Sequence, residues 1–237
     1  MRFETRYTYD FIQRFLSSEC RRILEVGCGT GELAARLSKG GYSVVAIDSD
    51  GDSVAAARRL GVDARIAKWP DFADDQFDTI LFTRSLHHIH PLAESITHAA
   101  ERLLEGGFII VEDFAYEAVD EKTLRWLASA LRLFEAMGLL STDESLNNLV
   151  SATQSLKAWR ENYEPELHTA AEIDVQLEKV FGPVLRENAL YYFRYVANVI
   201  SATEKRDAIL QAFAEQEETL AADGSIVALG RRFVARR

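Results

Sequence analysis

In the first half of the chain the apolar positions form short continuous runs, each ending in turn residues or an acid. Arg22–Val26, Ser43–Asp48, Phe77–Phe82 and Phe108–Glu112 are such runs. Runs of this length, rich in Val, Ile and Phe, predict strands buried on both faces. Between them the period changes to that of a helix. One helix is predicted over about 30–39, closed by Gly40-Gly41, and a short one from Ser53 to Leu60, ended by Gly61. Another starts at Pro91 and runs to Leu104, before Gly106-Gly107. A weaker strand is expected around 63–67. An opening helix over 7–19 would place Phe11, Ile12, Phe15 and Leu16 on one face. Strand and helix in alternation call for a parallel sheet in an α/β fold.

From about 115 to 181 the pattern is helical only. Leu124, Leu127, Leu131 and Phe134 fall at helical spacing, and Thr169-Ala170-Ala171-Glu172 reads as a capping box. Ile173, Leu177 and Val180 follow it, with Gly182-Pro183 as the stop. Val184 to Val196, rich in aromatic and β-branched residues, reads as a strand. Lys205 to Leu220 reads as a helix and Ile226 to Ala235 as a last strand. No Pro/Gly/Ser-rich boundary flanks the helical block. It is therefore expected to be a helical cap inserted at 115–181 into a domain made of 1–114 and 182–237.

Composition narrows the functional classes. Of 237 residues 48% are hydrophobic, ample for a core, and the net charge of −10 does not advertise the basic footprint of a nucleic-acid binder. No apolar run approaches the roughly 18 residues that span a bilayer. Met1-Arg2-Phe3-Glu4-Thr5-Arg6 lacks the apolar core of a secretory signal. Cys20 and Cys28 do not suggest a disulfide framework, so reduced thiols in a cytoplasm are expected. His87, His88 and His90 crowd together without a carboxylate or thiolate at metal spacing, and no metal site is expected.

The chemistry concentrates where the first strand ends. Glu25-Val26-Gly27-Cys28-Gly29-Thr30-Gly31 has the form E-x-G-x-G-x-G, and Asp48 closes the second strand 21 residues after Gly27. A strand, a tight glycine turn, a helix and a second strand with a terminal carboxylate form the layout of a nucleoside-binding βαβ unit. The glycines let the backbone approach a ligand closely, and the next helix points its N-terminal amides at it. A strand-end acid is shared with dinucleotide-binding folds, whose glycine pattern is G-x-G-x-x-G. Two further segments tip the choice. In 74–89, Phe77-Asp78 enters a strand and Leu86-His87-His88 follows it, while Arg102-Leu103-Leu104-Glu105-Gly106-Gly107 ends a helix.

On these ordered motifs, which cover about the first half, the chain resembles the class I S-adenosylmethionine-dependent methyltransferases of the small-molecule type. More dimly, Trp159 through His168 with the aromatic strand that follows resembles a bacterial methyltransferase subgroup of unassigned substrate. The resemblance implies a Rossmann-like, seven-stranded, mostly parallel sheet with helices on both faces and an antiparallel last strand. It implies S-adenosylmethionine as cofactor, held by Glu25, Gly27, Cys28, Gly29, Gly31, Asp48, Ser49, Ala67, Lys68, Thr83 and Arg84. Glu25 would orient the cofactor's ammonium and Asp48 would accept from both ribose hydroxyls. The family often has an acid after strand three for the adenine amino group. This chain has Arg65-Ile66-Ala67-Lys68-Trp69-Pro70 there, leaving backbone amides near Ala67 and Lys68 for adenine, and Trp69 either on the ring or in the core.

His88, and behind it His87, are the candidate general bases, needed only if the nucleophile arrives protonated. Packing under the cofactor and capping the next helix are the alternative roles. Tyr7, Trp159, His168, Tyr192 and Arg194 are the candidate acceptor contacts, with packing as their alternative. The expected activity is methyl transfer to O, N or C of a small molecule by a monomer or homodimer, without nucleic acid or membrane. The rivals are a tRNA or protein methyltransferase, a silent cofactor-binding subunit, and an NAD(P)-dependent oxidoreductase.

Overall fold

The structure, a computed structural model, describes residues 1–16, 20–141, 144–163 and 166–237. In chain order the elements are α1 (Phe3–Gln13), β1 (Arg22–Val26), α2 (Glu32–Lys39), β2 (Ser43–Asp48), α3 (Gly51–Arg59), β3 (Asp63–Ile66), β4 (Phe77–Thr83), α4 (Leu92–Arg102) and β5 (Leu103–Phe114). Then come α5 (Glu121–Ala136), α6 (Glu144–Ala152), α7 (Leu156–Glu161), α8 (Ala170–Phe181), β6 (Val184–Ala189), α9 (Tyr192–Val199), α10 (Arg206–Ala222) and β7 (Gly230–Arg236). The opening helix thus begins earlier than expected and stops at Gln13. The end of its expected span, 17–19, lies outside the described residues.

Among the described residues seven strands form one sheet in the order β3-β2-β1-β4-β5-β7-β6. The β1–β2, β2–β3, β1–β4 and β4–β5 pairs are parallel. The last strand runs the other way. Gly106 and Gly107 exchange backbone bonds with Arg237 at one end of β5, while the Ala115 N–H reaches the Leu229 carbonyl at the other. Chain order diverges on either side of β1 and β4, making a topological switch point, and the crevice outside the carboxyl ends of such strands is where open α/β sheets bind ligands. Register sets Val26 beside both Ile47 and Phe82, so the glycine turn, the end of β2 and the end of β4 meet there.

The chain divides into two compact units. The sheet unit comprises Thr5–Asp113, Ala170–Glu187 and Arg231–Arg237. Its core packs Ile23, Val44, Ala46, Leu81 and Ile110 of the strands against Ile12 of α1, Leu33 and Leu37 of α2, and Val54 and Ala57 of α3. These are the continuous apolar runs of the sequence, buried as parallel strands must be. Helix α8 packs on α4 within this unit. The division therefore differs from a cap at 115–181, because 170–187 groups with the sheet.

The second unit comprises Met1–Glu4, Phe114–Thr169 and Asn188–Gly230. Leu124, Leu127, Leu131 and Phe134 are the buried stripe of α5. Asp120 starts that helix by accepting the Thr123 N–H at 2.7 Å. Trp126 stacks on Phe213 of α10, with ring centroids 5.3 Å apart.

One expected element is corrected here. Val184 to Val196 is not a single strand: β6 ends at Ala189 and the aromatic stretch coils into α9. Aromatic and β-branched content suggested a strand, but a tertiary contact decides otherwise. The buried Glu217 carboxylate of α10 accepts the backbone N–H groups of Tyr191, Tyr192 and Phe193 at 2.6–3.0 Å, satisfying the orphan donors of a helix start.

Candidate functional site

A cleft of about 550 Å³ opens at the switch point of the sheet unit. Val26, Gly27 and Gly29 line it from β1 and its turn, and Ile47, Asp48 and Ser49 from β2. Ala67, Lys68 and Trp69 line it after β3, and Arg84, Ser85, His88, Ile89 and His90 after β4.

The glycine turn is held from below. Gly27 and Cys28 donate their N–H groups to the Ile47 carbonyl at 2.9 and 3.0 Å, and the Gly29 N–H reaches Asp48 Oδ2 at 2.8 Å. A Cβ at Gly27 would stand 2.4 Å from the Ser85 Cβ, so its glycine is needed to seat the β4 loop. Gly29, at φ +52°, has nothing within 4 Å of such a Cβ. Gly29 is the glycine that leaves the cleft open. Gly31 caps α2 and meets Ala57 of α3, serving helix packing outside the cleft lining. Cys28 is also outside the lining. Burial, with Glu25 and Asp48 nearby, pushes its thiol up to about 12.

Glu25 lies one residue before the turn and is buried. Its Oε1 accepts from Thr83 Oγ1 at 3.3 Å, whereas its Oε2 is buried with no hydrogen-bond partner among the described residues. Desolvation pushes this carboxyl up to about 7, against the pull of Arg84, the Thr83 hydroxyl and the Ala34 backbone N–H. Asp48 uses Oδ1 on the Asp50 N–H at 3.0 Å and Oδ2 on Gly29, so both oxygens brace loop backbone while the side chain faces the cleft. The Ala67 N–H is engaged by the Asp48 carbonyl at 3.0 Å.

Beyond β4 the backbone turns sharply. Arg84 adopts φ 61°, a left-handed conformation that a non-glycine residue holds only when its surroundings impose it. Its N–H donates to the Glu112 carbonyl at 2.7 Å, and its guanidinium reaches Glu112 Oε1 at 3.3 Å. A 3₁₀ turn, Leu86–His88, follows. It buries His87 and leaves His88 exposed in the cleft. The His87 Nδ1 stands 2.5 Å from Asp113 Oδ1, at the end of β5.

The structure thus brings Gly27, Gly29, Asp48, Ser49, Ala67, Lys68, Arg84 and His88 around one cleft, with Glu25, Thr83 and His87 buried behind its lining. Trp69 does two things: it lines the cleft, while its indole N–H donates to the Ser95 carbonyl and its ring packs on Phe82. Tyr7 carries the Arg232 guanidinium 4.4 Å from its ring centroid. Trp159, His168, Tyr192 and Arg194 belong to the second unit. There Trp159 is wholly buried, its indole N–H on the Tyr116 carbonyl, and Tyr192 is equally buried. Arg194 lies over the Phe193 ring. Sequence reasoning missed Ser85, His90 and Asp113. Ser85 carries no motif signal, His90 stands out in the sequence only as part of a histidine run, and Asp113 is an ordinary strand-end acid until β5 is paired with β4.

Comparison with known proteins agrees with this geometry. A family model described as a methyltransferase domain matches residues 2–162. Trans-aconitate 2-methyltransferase of Mycolicibacterium gilvum is 28% identical over 191 residues, covering 75% of this chain and 74% of that protein. Ubiquinone biosynthesis O-methyltransferase of Hydrogenovibrio crunogenus is 33% identical over 107 residues, 41% of this chain and 44% of that one. The match therefore spans under half the length of that second relative. Among solved structures, the plantazolicin methyltransferase BpumL in complex with a triazolic desmethylPZN analog and SAH superposes with a TM-score of 0.59 at 14% identity, over 99% of this chain and 84% of that one. Phosphoethanolamine N-methyltransferase 2 of Haemonchus contortus, in complex with S-adenosyl-L-methionine, gives 0.59 at 15% identity, over 96% and 51%.

Proposed function

This chain belongs to the methyltransferase-domain family, and from that premise we propose that it transfers a methyl group from S-adenosylmethionine to O, N or C of a small molecule. One observation carries the cofactor assignment. Glu25 Oε2 is a buried carboxylate oxygen with no hydrogen-bond partner among the described residues, one residue from the cleft lining. An orphaned acceptor in a dry site is costly unless a ligand donor meets it, and an ammonium is the donor that suits a carboxylate best. The open face of Gly29 and the cleft-facing Asp48 fit the rest of the cofactor.

When bound, S-adenosylmethionine supplies an electrophilic methyl carbon on a sulfonium. Glu25 holds the ammonium. Asp48 accepts from the ribose hydroxyls with the lone pairs that loop backbone leaves over, a carboxylate having about four such sites. Because the Ala67 N–H is engaged by the Asp48 carbonyl, the backbone hold on adenine falls to Lys68, with Trp69 next to it in the lining. Arg84 offers the cofactor's carboxylate a cation. His88, exposed in the cleft, takes the acceptor's proton where the nucleophile carries one. Most of the rate would come from holding nucleophile, carbon and sulfur in line in a site that excludes water.

Calorimetry on the purified protein tests the reading. S-adenosylmethionine and its demethylated product should bind one per chain and NAD should not. Saturable NAD binding without S-adenosylmethionine binding would sink the assignment. Mass spectrometry of a small molecule that copurifies and gains one methyl group would identify the acceptor.

A further inference from the structure

Behind His88 lies a buried pair with no part in the chemistry above. Asp113 is wholly buried at the end of β5, and it clamps His87 twice. Oδ1 meets the ring Nδ1 at 2.5 Å, and Oδ2 accepts the His87 backbone N–H at 3.3 Å. An ionised carboxylate can only accept, so a neutral His87 carries its proton on Nδ1. The His87 and His88 ring centroids are 4.2 Å apart, with planes at 46°. The pair therefore sets a ring held by a buried carboxylate next to the imidazole that lines the cleft.

We propose that Asp113, acting through His87, is a positioning residue for His88 and supplies the charge that offsets its imidazolium. The inference rests on the assignment of His88 as proton acceptor, and it narrows the methyl acceptor to a nucleophile that arrives with a proton, a hydroxyl or an N–H, rather than an ionised carboxylate. As the new O–CH3 or N–CH3 bond forms, the acceptor's proton passes to the His88 imidazole. The CH3–S bond breaks with its electron pair going to sulfur, which leaves as a neutral thioether. The positive charge that began on the sulfonium ends on His88, next to the His87 ring that the Asp113 carboxylate holds, and returns to water with the proton. Fixed compensation of charge that develops during the reaction is worth most in a water-poor site.

The test needs no acceptor. NMR of the full chain labelled with 15N-histidine reads the tautomer of His87 and the titration of His88. The expected result is a low-field proton on His87 Nδ1, shifted upfield or lost in Asp113→Asn. The His88 midpoint should fall in that variant by about half a pH unit or more, because a nearby anion is gone. Asp48, Lys68, Arg84 and His90 also line the cleft and are the same in both proteins, so the difference reports on Asp113. A His87 that carries its proton on Nε2 in the unmodified protein overturns the proposal, and that measurement stands even if Asp113→Asn does not fold. An unmoved His88 midpoint in a folded variant overturns it too. Failure of the cofactor reading would show instead as absent S-adenosylmethionine binding in calorimetry, a separate measurement.

Discussion

Thr83 Oγ1 donates to only one oxygen of Glu25, at 3.3 Å, and the second oxygen is sealed in the interior without a hydrogen-bond partner among the described residues. Half of this carboxylate is satisfied by the protein and half is left for something else. Burial pushes the group up to about 7, so at acid pH the free protein keeps it protonated. A ligand ammonium requires the ionised form, so binding must expel a proton in that range. Affinity for S-adenosylmethionine should rise about fivefold between pH about 6 and about 7, a window in which an α-amino group stays charged. Glu25→Gln should bind more weakly and lose this pH dependence, as read by calorimetry in buffers of different ionisation enthalpy. The sign for stability is opposite. A carboxyl raised in the folded state favours folding below its ordinary value of 4.5 and loses that contribution as pH rises to about 7. Thermal unfolding of the free protein should show that decline, flattened in Glu25→Gln.

Asp48 braces two loop amides as well as facing the cleft. Asp48→Ala should weaken cofactor binding by roughly 10- to 150-fold, the range expected for losing about 1.5–3 kcal/mol of charged hydrogen bonding. A cofactor analogue lacking the ribose 2′-hydroxyl separates the two roles. If Asp48 only braces the turn, the variant should lose the same factor for the analogue as for S-adenosylmethionine.

The glycines of one motif should respond differently to the same substitution. Gly31→Ala puts a Cβ 2.5 Å from the Ala57 Cβ at φ +77°, so overpacking and backbone strain add. Its melting temperature should fall markedly while the folded fraction still binds cofactor. Gly29→Ala puts a Cβ where nothing among the described residues, chain neighbours aside, lies within 4 Å, so it should lose about 1–2 kcal/mol of stability to the left-handed backbone and lose affinity for the cofactor. Equal melting temperatures for the two variants would refute this division.

What could be read from the chain follows a physical divide. The parallel strands were legible because burial on both faces leaves continuous apolar runs, and the Glu25–Gly31 turn because close backbone approach demands glycine. The acid after β2 was legible from its spacing. What stayed hidden depends on contacts distant in sequence. The carboxylate that starts α9 is Glu217, and no local pattern joins it to Tyr191. Asp113 acquires meaning only when β5 pairs with β4 and lies behind the 3₁₀ turn. The grouping of α8 with α4 is likewise a packing fact, invisible to a period that reads helix after helix.

The last prediction concerns a buried charge cluster that no motif announced. Glu112, almost wholly buried, accepts from Arg232 Nη2 at 2.6 Å and Nε at 2.9 Å, from Thr8 Oγ1 at 2.7 Å and from Arg84 at 3.3 Å. The Arg232 guanidinium is itself sandwiched near the Tyr7 and Phe11 rings, 4.4 and 4.2 Å from their centroids. Removing one member of such a pair strands the other in a dry interior. Arg232→Met should therefore lose about 3–5 kcal/mol, since it leaves the Glu112 charge poorly compensated. For a chain of this size each kcal/mol lowers the melting temperature by about 2–4 °C, so a drop of roughly 6–20 °C is expected. The double variant Glu112→Gln/Arg232→Met should recover much of it, because the stranded charge has gone too. Thermal unfolding of both proteins, at a pH where Glu112 is ionised, decides the matter. If the double variant is no more stable than Arg232→Met, the guanidinium matters for its packing against Tyr7 and Phe11 rather than for its charge.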